Sequence, residues 1–109
     1  MINIKKSDFL FEVNDIFGKL IRTTKSYWNK IFFVKHKELK VPKEEVIKVL
    51  KNPDEIRKSV QDPYIYLYYK NFGKQFLVVV VKYFNGFGFI VTIYQTSKIK
   101  RKGEKIWPK

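Results

Sequence analysis

Hydrophobic and polar residues alternate with a period of two in two stretches near the start of the chain, residues 9–13 and residues 19–23. The segment between them contains Asn14 and Gly18, residue types that supply the backbone conformations of tight turns. This pattern predicts an N-terminal β-hairpin over residues 9–23.

A helical period follows the hairpin. Trp28, Ile31 and Lys35 recur at helical spacing and predict a first helix over about residues 24–36. A second helix is predicted over about residues 42–51, because a proline suits its first turn, two glutamates match its positive N-terminal end, and apolar residues form a stripe behind them.

Strand-like alternation returns in the second half of the chain, over about residues 55–96. Short turn segments divide it into four runs, which predicts an antiparallel meander. The expected fold class is therefore α+β, with an N-terminal β-hairpin and two helices packed on a four-stranded antiparallel sheet. Residues 97–109 form a basic tail, which is either an extension or a final short strand.

The composition indicates one compact domain spanning residues 1–109. A chain of 109 residues with 45% hydrophobic and 17% aromatic residues can bury one core but cannot easily divide into two domains. The longest apolar run is far shorter than a bilayer requires, and the first residues do not resemble a secretory signal. We expect a cytoplasmic protein without a membrane partner.

Cysteine is absent and His36 is the only histidine, which argues against disulfides and against thiolate zinc sites. Metal chemistry would have to depend on carboxylates. These are scattered along the chain, and Glu104 is the only one after Asp62. No metal and no cofactor are therefore expected.

The formal net charge of +13 is large for a domain of this size. Such a charge attracts polyanions and makes their binding salt-dependent. Judged by charge alone, RNA, DNA, an anionic membrane surface or an acidic protein could each be the partner. The competing interpretation is that lysine is simply the preferred surface residue in the source organism.

The last predicted strand carries a row of hydroxyl groups. Alternation puts Thr92, Tyr94 and Thr96 on one face of the sheet, and it puts Val91 and Ile93 on the face that packs against the helices. The first three would then lie on an open face, where hydroxyls can contact phosphates or bases. Threonine and tyrosine are, equally, common strand residues on any solvated face.

Tyrosines are concentrated in the second predicted strand of the meander. Tyr64, Tyr66 and Tyr68 share one face, and Tyr69 lies on the other face with Leu67. Aromatic side chains on an open sheet can stack unpaired bases, which makes Tyr69 a candidate nucleic-acid contact. The alternative is that the rings only cover the sheet and keep their hydroxyls in water.

Two cationic side chains are candidates for phosphate contacts. Arg57 shares a face with Ser59, and arginine is the side chain best shaped for bidentate phosphate binding. A salt bridge from Arg57 to Glu55 or Asp62 is the competing interpretation. Lys82 ends the most hydrophobic strand, and the face on which it lies depends on the length of the turn that follows.

Histidine is the side chain whose ordinary pKa suits proton transfer near neutral pH. His36 lies near the predicted end of the first helix and is the only candidate of this kind. A single histidine at a helix end is more often structural than catalytic, so both interpretations stay open.

Several short motifs occur in a specific order: Asn52-Pro53 with Ile56, an R-x-S at Arg57 and Ser59, Asp62-Pro63, a VVK ending at Lys82, and G-F-x-V-T-x-Y ending at Tyr94. Together they resemble the phage-associated branch of the nuclease superfamily that includes barnase, EndoU, colicin and RelE-type toxins. The resemblance covers nearly the whole chain. It implies N-terminal helices on a four-stranded antiparallel sheet, and a metal-independent endoribonuclease that acts as a toxin and is neutralised by an acidic antitoxin.

The family often has a histidine near the position of Lys30, which leaves His36 as the one histidine available here. Cleavage without a metal requires a base to deprotonate the ribose 2′-OH and cations to stabilise the phosphorane. The hypothesis assigns His36 as acid or base, Arg57 and Lys82 as phosphate stabilisers, and Thr92 and Tyr94 as positioning donors. The side chains assigned to binding the RNA are Ser59, Tyr69, Thr96, Lys98, Lys100 and Arg101.

Two other functions use the same residues differently. One is a non-catalytic RNA- or DNA-binding module, which the scarcity of acid and base candidates favours. The other is an interaction protein whose charge matches an acidic partner. The sequence does not determine the oligomeric state.

Overall fold

The computed structural model describes residues 8–35 and 41–108. Its strands are β1 Phe9–Asn14, β2 Leu20–Thr24, β3 Glu55–Lys58, β4 Ile65–Phe72, β5 Gln75–Phe84, β6 Phe87–Thr96 and β7 Lys105–Trp107. Its helices are α1 Lys25–Lys30, which continues as a π-helical turn over Ile31–Lys35, and α2 Lys43–Lys51.

The seven strands form a single mixed sheet in the order β1-β2-β6-β5-β4-β3-β7. Every neighbouring pair is antiparallel except β2 and β6, which are parallel. The prediction of a four-stranded antiparallel sheet is therefore wrong. Strands β3 to β6 do form consecutive antiparallel pairs, but the N-terminal hairpin extends one side of the sheet and β7 extends the other.

Close packing at Gly88 allows the hairpin to join the sheet. Ile21 in β2 is fully buried beside Gly88 in β6. A Cβ atom on Gly88 would lie 2.7 Å from Ile21 Cδ1 and 2.9 Å from Val81 Cγ1, so a larger residue would force these side chains to shift. The alternation within each strand does not specify a parallel pairing between segments so far apart in the chain, which is why the sequence did not predict it.

The helices begin and end where their terminal residues favour it. The hydroxyl of Thr24 caps α1 by accepting a hydrogen bond from Tyr27 N at 3.1 Å. Pro42 precedes α2, whose first turn carries Glu44 and Glu45, matching the positive end of the helix dipole. Asn52 ends this helix.

The main hydrophobic core lies between the helices and one face of the sheet. Helix α2 contributes Val46, Val49 and Leu50, and α1 leads into Ile31, all of which are buried. A smaller cluster, which includes Tyr69, lies on the other face. None of the helices in the described ranges is long and apolar enough to cross a bilayer.

A buried carboxylate fixes the turn of the N-terminal hairpin against the sheet. Asp15 is only 6% exposed. Its Oδ1 accepts hydrogen bonds from the backbone N–H groups of Phe17 and Lys19 at 2.8 and 2.9 Å. Its Oδ2 accepts from the hydroxyls of Tyr68 at 2.9 Å and Tyr83 at 2.6 Å. The turn is thereby bound to β4 and β5 at the same point.

The two phenols also contact each other, since the Tyr68 and Tyr83 hydroxyls are within hydrogen-bond reach. Burial, followed by the neighbouring Tyr83 and Asp15, raises the pKa of Tyr68 far above its ordinary value. Burial and the bond to Asp15 raise the pKa of Tyr83 as well. Both hydroxyls therefore stay protonated and act as donors to the carboxylate.

Replacing Asp15 by alanine should destabilise the fold by roughly 3 kcal/mol or more, because each buried donor left without a partner costs about 1–3 kcal/mol. Urea unfolding measures the change. Glu44→Ala is the matched control, since it removes the same charge from an exposed position and should cost at most about 1 kcal/mol. Equal unfolding midpoints for the two variants would contradict the role given to Asp15.

Candidate nucleic-acid interface

A β-bulge at Val91 decides which side chains of β6 lie on which face of the sheet. Val80 pairs with Thr92, but the next residue of β5 pairs with Ile90, so Val91 is an extra residue. Its carbonyl oxygen accepts a hydrogen bond from the Tyr27 hydroxyl at 2.9 Å. The bulge therefore shifts the alternation of β6 by one residue at this point.

Thr92, Tyr94 and Thr96 lie on the side of the sheet opposite α2. Val91 was predicted to face the helices, but it packs against the hydrophobic cluster on the same side as these three residues. Lys82 also lies on this side, because it is two residues along β5 from the partner of Thr92. We refer to this side of the sheet as the open face.

The chain between β6 and β7, residues 97–104, crosses the open face and is referred to as the crossover segment. Ile99 packs on the cluster that includes Tyr69. The far end is fixed at β3, where Lys58 N donates to Glu104 O at 2.8 Å. The first part of the predicted basic tail is therefore an ordered part of this face.

Gly103 allows the crossover segment to approach β3 closely. Its φ of +75° is in the region that favours glycine, and a Cβ atom there would lie 2.0 Å from Lys58 O. A side chain at this position would lift the segment away from the sheet.

Four cationic side chains on the crossover segment are exposed: Lys98, Lys100, Arg101 and Lys102. Within the described residues none of them forms an ion pair. The one acidic residue of the segment, Glu104, lies 3.5 Å from Lys58 Nζ. The open face thus carries a row of cations whose charge is not cancelled locally.

Arg57 is buried beneath the crossover segment and is only 9% exposed. Its Nε donates to Glu55 Oε2 at 2.5 Å, and its Nη1 donates to Gly103 O at 3.1 Å. The structure therefore has the salt bridge that the sequence left open as an alternative. A phosphate would reach this guanidinium only if the pair opened, which would leave Glu55 buried without a partner.

The residues of the predicted catalytic set are spread across the sheet. Arg57 and Thr92 belong to one cross-strand row, with Leu67 and Val80 between them. Since neighbouring strands are about 4.8 Å apart, their backbones are separated by about 14 Å. His36 lies outside the described residues. The part of the chain that the structure describes does not gather these groups around one phosphate.

Tyr69 and Tyr94 form a hydrogen-bonded pair on the open face. Burial, followed by the neighbouring Tyr94, raises the pKa of Tyr69 to about 12, and burial also raises the pKa of Tyr94. Tyr69 is only 2% exposed, so its ring is not available to stack a base. Tyr68 lies in the core on the helical side, whereas Tyr64 is exposed.

Among the described members of the predicted catalytic set, Lys82 is well placed for contact with a ligand. Its side chain is partly exposed on the open face, and its Nζ lies 3.1 Å from Asp62 Oδ2 and 6.0 Å from the Phe84 ring centre. The backbone N–H of Tyr64, followed by the Lys82 ammonium, lowers the pKa of Asp62. The ion pair holds the ammonium close to the exposed Phe84 ring.

Arg22 is a further cation on this face that the sequence analysis did not single out. Its guanidinium lies over the rings of Phe9 at 5.1 Å and Phe87 at 4.9 Å, and its Nε lies 3.0 Å from Glu12 Oε2. The Phe87 ring stacks in turn on Phe84 at 5.4 Å. Alternation along the second strand of the hairpin puts Arg22 on the face opposite Ile21. Only the β2–β6 pairing shows that this face is part of the open face.

Two of the predicted RNA-binding residues stabilise local turns. Ser59 Oγ accepts a hydrogen bond from Gln61 N at 3.2 Å. Thr96 Oγ1 donates to Lys98 O at 3.1 Å and fixes the start of the crossover segment. In the described ranges no three metal-ligating side chains lie together.

No family model, no curated protein and no solved structure matches this chain. The resemblance to the RelE and barnase superfamily therefore rests on the sequence motifs alone, and the fold that it implied differs from the seven-stranded sheet. The structure defines a small α+β protein with one helix-covered face and one basic, aromatic open face.

The burial of Arg57 predicts that its loss destabilises the fold. Arg57→Ala should lower the free energy of unfolding by about 3–5 kcal/mol, since it leaves Glu55 buried without a partner. Urea unfolding of Arg57→Ala and of the double variant Arg57→Leu with Glu55→Leu measures this effect. The double variant should recover at least part of the loss. An Arg57→Ala protein as stable as the parent would contradict this assignment.

The raised phenol pKa values predict a loss of stability in alkali. Because the pKa of Tyr69 is about 12 in the folded protein against an ordinary value of 10.0, the unfolded chain releases this proton first as the pH rises. The free energy of unfolding should therefore hold below about pH 10 and fall between about pH 10 and pH 12. Urea unfolding across this range measures the fall, which should be shallower for Tyr69→Phe. A stability that does not change with pH in this range would contradict the account.

Proposed function

We propose that the protein binds RNA through the open face and that the crossover segment contacts the phosphate backbone. The observation that carries the proposal is the route of the crossover segment. It takes Lys98, Lys100 and Arg101 across the same face that holds Lys82. Together with Arg22, these side chains form a basic surface on one side of the sheet.

The distribution of charge supports a polyanionic partner. The chain carries a net charge of +13, and Glu104 is its only acidic residue after Asp62. Binding a polyanion releases the counterions condensed on it, which gives favourable free energy at low salt. A row of cations with so few carboxylates among them accommodates a continuous phosphate backbone, as in proteins whose grooves follow a single strand.

Cleavage is a separate question from binding. The sequence motifs suggest metal-independent attack of the ribose 2′-OH on the adjacent phosphate, and Lys82 is a candidate whose partial exposure is compatible with contact to RNA. Arg57 is not assigned a role in this chemistry, because its guanidinium is paired with Glu55. We therefore propose binding of a cytoplasmic RNA as the function, and cleavage as a property to be tested with it.

Two variants with the same net charge test the proposal. The first, Lys98→Gln with Lys100→Gln and Arg101→Gln, should bind RNA about tenfold or more weakly at about 50 mM salt. In a plot of log affinity against log salt concentration, the slope for this variant should be less steep than that of the parent by about 2. The second, Lys43→Gln with Lys48→Gln and Lys51→Gln, removes the same charge from α2 on the opposite face and should weaken binding much less.

Equal losses of RNA affinity in the two variants would mean that general charge attraction explains the binding. If the parent protein shows no salt-dependent RNA binding, the proposal is wrong. Stable association with an acidic protein in place of RNA would favour the interaction-protein alternative. The same RNA, incubated with a chelator, tests cleavage: new 2′,3′-cyclic phosphate ends that Lys82→Ala fails to produce would add transesterification to the function.

A further inference from the structure

We propose that a pocket at one end of the sheet, between Tyr64 and Phe84, holds one unpaired base of the bound RNA, so that the protein prefers single strands to duplexes. This inference rests on the proposed function and adds the class of RNA to it. Lys19, Lys82, Tyr83 and Asn85 complete the wall of the pocket. Its volume of about 530 Å³ is within the range of about 300–1,000 Å³ that small-molecule sites occupy.

The two rings at the pocket are unusually exposed for aromatic side chains. Tyr64 is 65% exposed and Phe84 is 51% exposed, and both border the same cavity. Large apolar groups that remain in water together often mark a binding site. Here the cavity beside them is concave and open to the end of the sheet, where a strand of RNA has access.

The ring of Phe84 and the backbone of Tyr64 are held in place by contacts that do not depend on a ligand. The Phe84 ring stacks on the Phe87 ring with an interplanar angle of 24°, and the Arg22 guanidinium lies over the Phe87 ring. Tyr64 is fixed through its backbone, since its N–H donates to Asp62 Oδ1 at 2.9 Å and its carbonyl accepts from Tyr83 N at 2.8 Å. A preorganised Phe84 ring loses little conformational entropy when a base stacks on it.

Cations on the pocket wall suit the phosphate that accompanies a base. Lys19 Nζ lies 5.2 Å from the Tyr83 ring centre and forms no ion pair within the described residues. Lys82 is partly neutralised by Asp62, so Lys19 provides the larger net attraction for a phosphate. The Asn85 side chain, which has both donor and acceptor atoms, is available to the edge of a base.

Stacking in this pocket requires a base that is not paired. In a duplex each base face is covered by its neighbours, whereas an unpaired base can be inserted against an aromatic ring. The pocket and the start of the crossover segment lie at opposite ends of β5, since Phe76 pairs with Thr96 and Phe84 borders the pocket. Eight residues of strand separate them by about 27 Å, so the expected ligand is an oligonucleotide and not a single nucleotide.

A single-stranded RNA oligonucleotide and the duplex of the same sequence test the inference, with affinities measured by fluorescence anisotropy. Phe84→Leu keeps an apolar side chain against Phe87 but removes the stacking ring. It should bind the single strand about five- to 100-fold more weakly, the loss typical of one base–aromatic contact, and it should bind the duplex as the parent does. Phe84→Tyr should restore binding to the single strand.

Phe33→Leu is the matched control, because Phe33 is 71% exposed on the π-helical turn and is not part of the pocket. A parental preference for the single strand that Phe84→Leu abolishes and Phe33→Leu retains would support the pocket. Equal parental affinity for both RNAs, or equal losses in the two leucine variants, would overturn the pocket and leave RNA binding intact. Failure of the parent to bind either RNA would instead overturn the proposed function, and the pocket with it.

Discussion

The buried carboxylate of Asp15 joins parts of the chain that lie far apart in sequence. Its oxygens accept hydrogen bonds from the turn of the hairpin and from Tyr68 and Tyr83 on the two central strands. The next backbone N–H, of Ile16, donates to Leu50 O at the end of α2 at 3.0 Å. One turn thus fixes the hairpin, α2 and the centre of the sheet relative to one another. Strand β2 of the same hairpin pairs in parallel with β6.

The same arrangement gives the sheet two different faces. The helices cover one face, where Val46 and Leu50 pack on the central strands. The other face is crossed by residues 97–104, which are anchored by the buried pair of Arg57 and Glu55 and by the close approach at Gly103. Arg57, a member of the predicted catalytic set, therefore supports the segment that carries the cations. The basic surface depends on this arginine indirectly, through the position of the segment.

Sequence patterns predicted the individual turns, helices and strands better than they predicted how the strands pair and which face each side chain occupies. The turn at Asn14 and Gly18, the start of α1 near residue 24 and the antiparallel order of β3 to β6 are short-range features with strong residue preferences. The parallel β2–β6 contact is closely packed at Gly88, and a glycine within one strand gives no signal of its pairing partner. A bulge such as that at Val91 changes the face of every residue on one side of it, so alternation alone placed part of β6 on the wrong face.

The central claim is that RNA binds to the open face and not to the helical face. The most direct test is a titration of isotopically labelled protein with a single-stranded RNA oligonucleotide, followed by backbone amide chemical shifts in NMR spectra. The account predicts that the largest changes occur in residues 97–104 and around Lys82 and Phe84, with α2 nearly unaffected. Changes concentrated on α2, with the crossover segment unaffected, would contradict it.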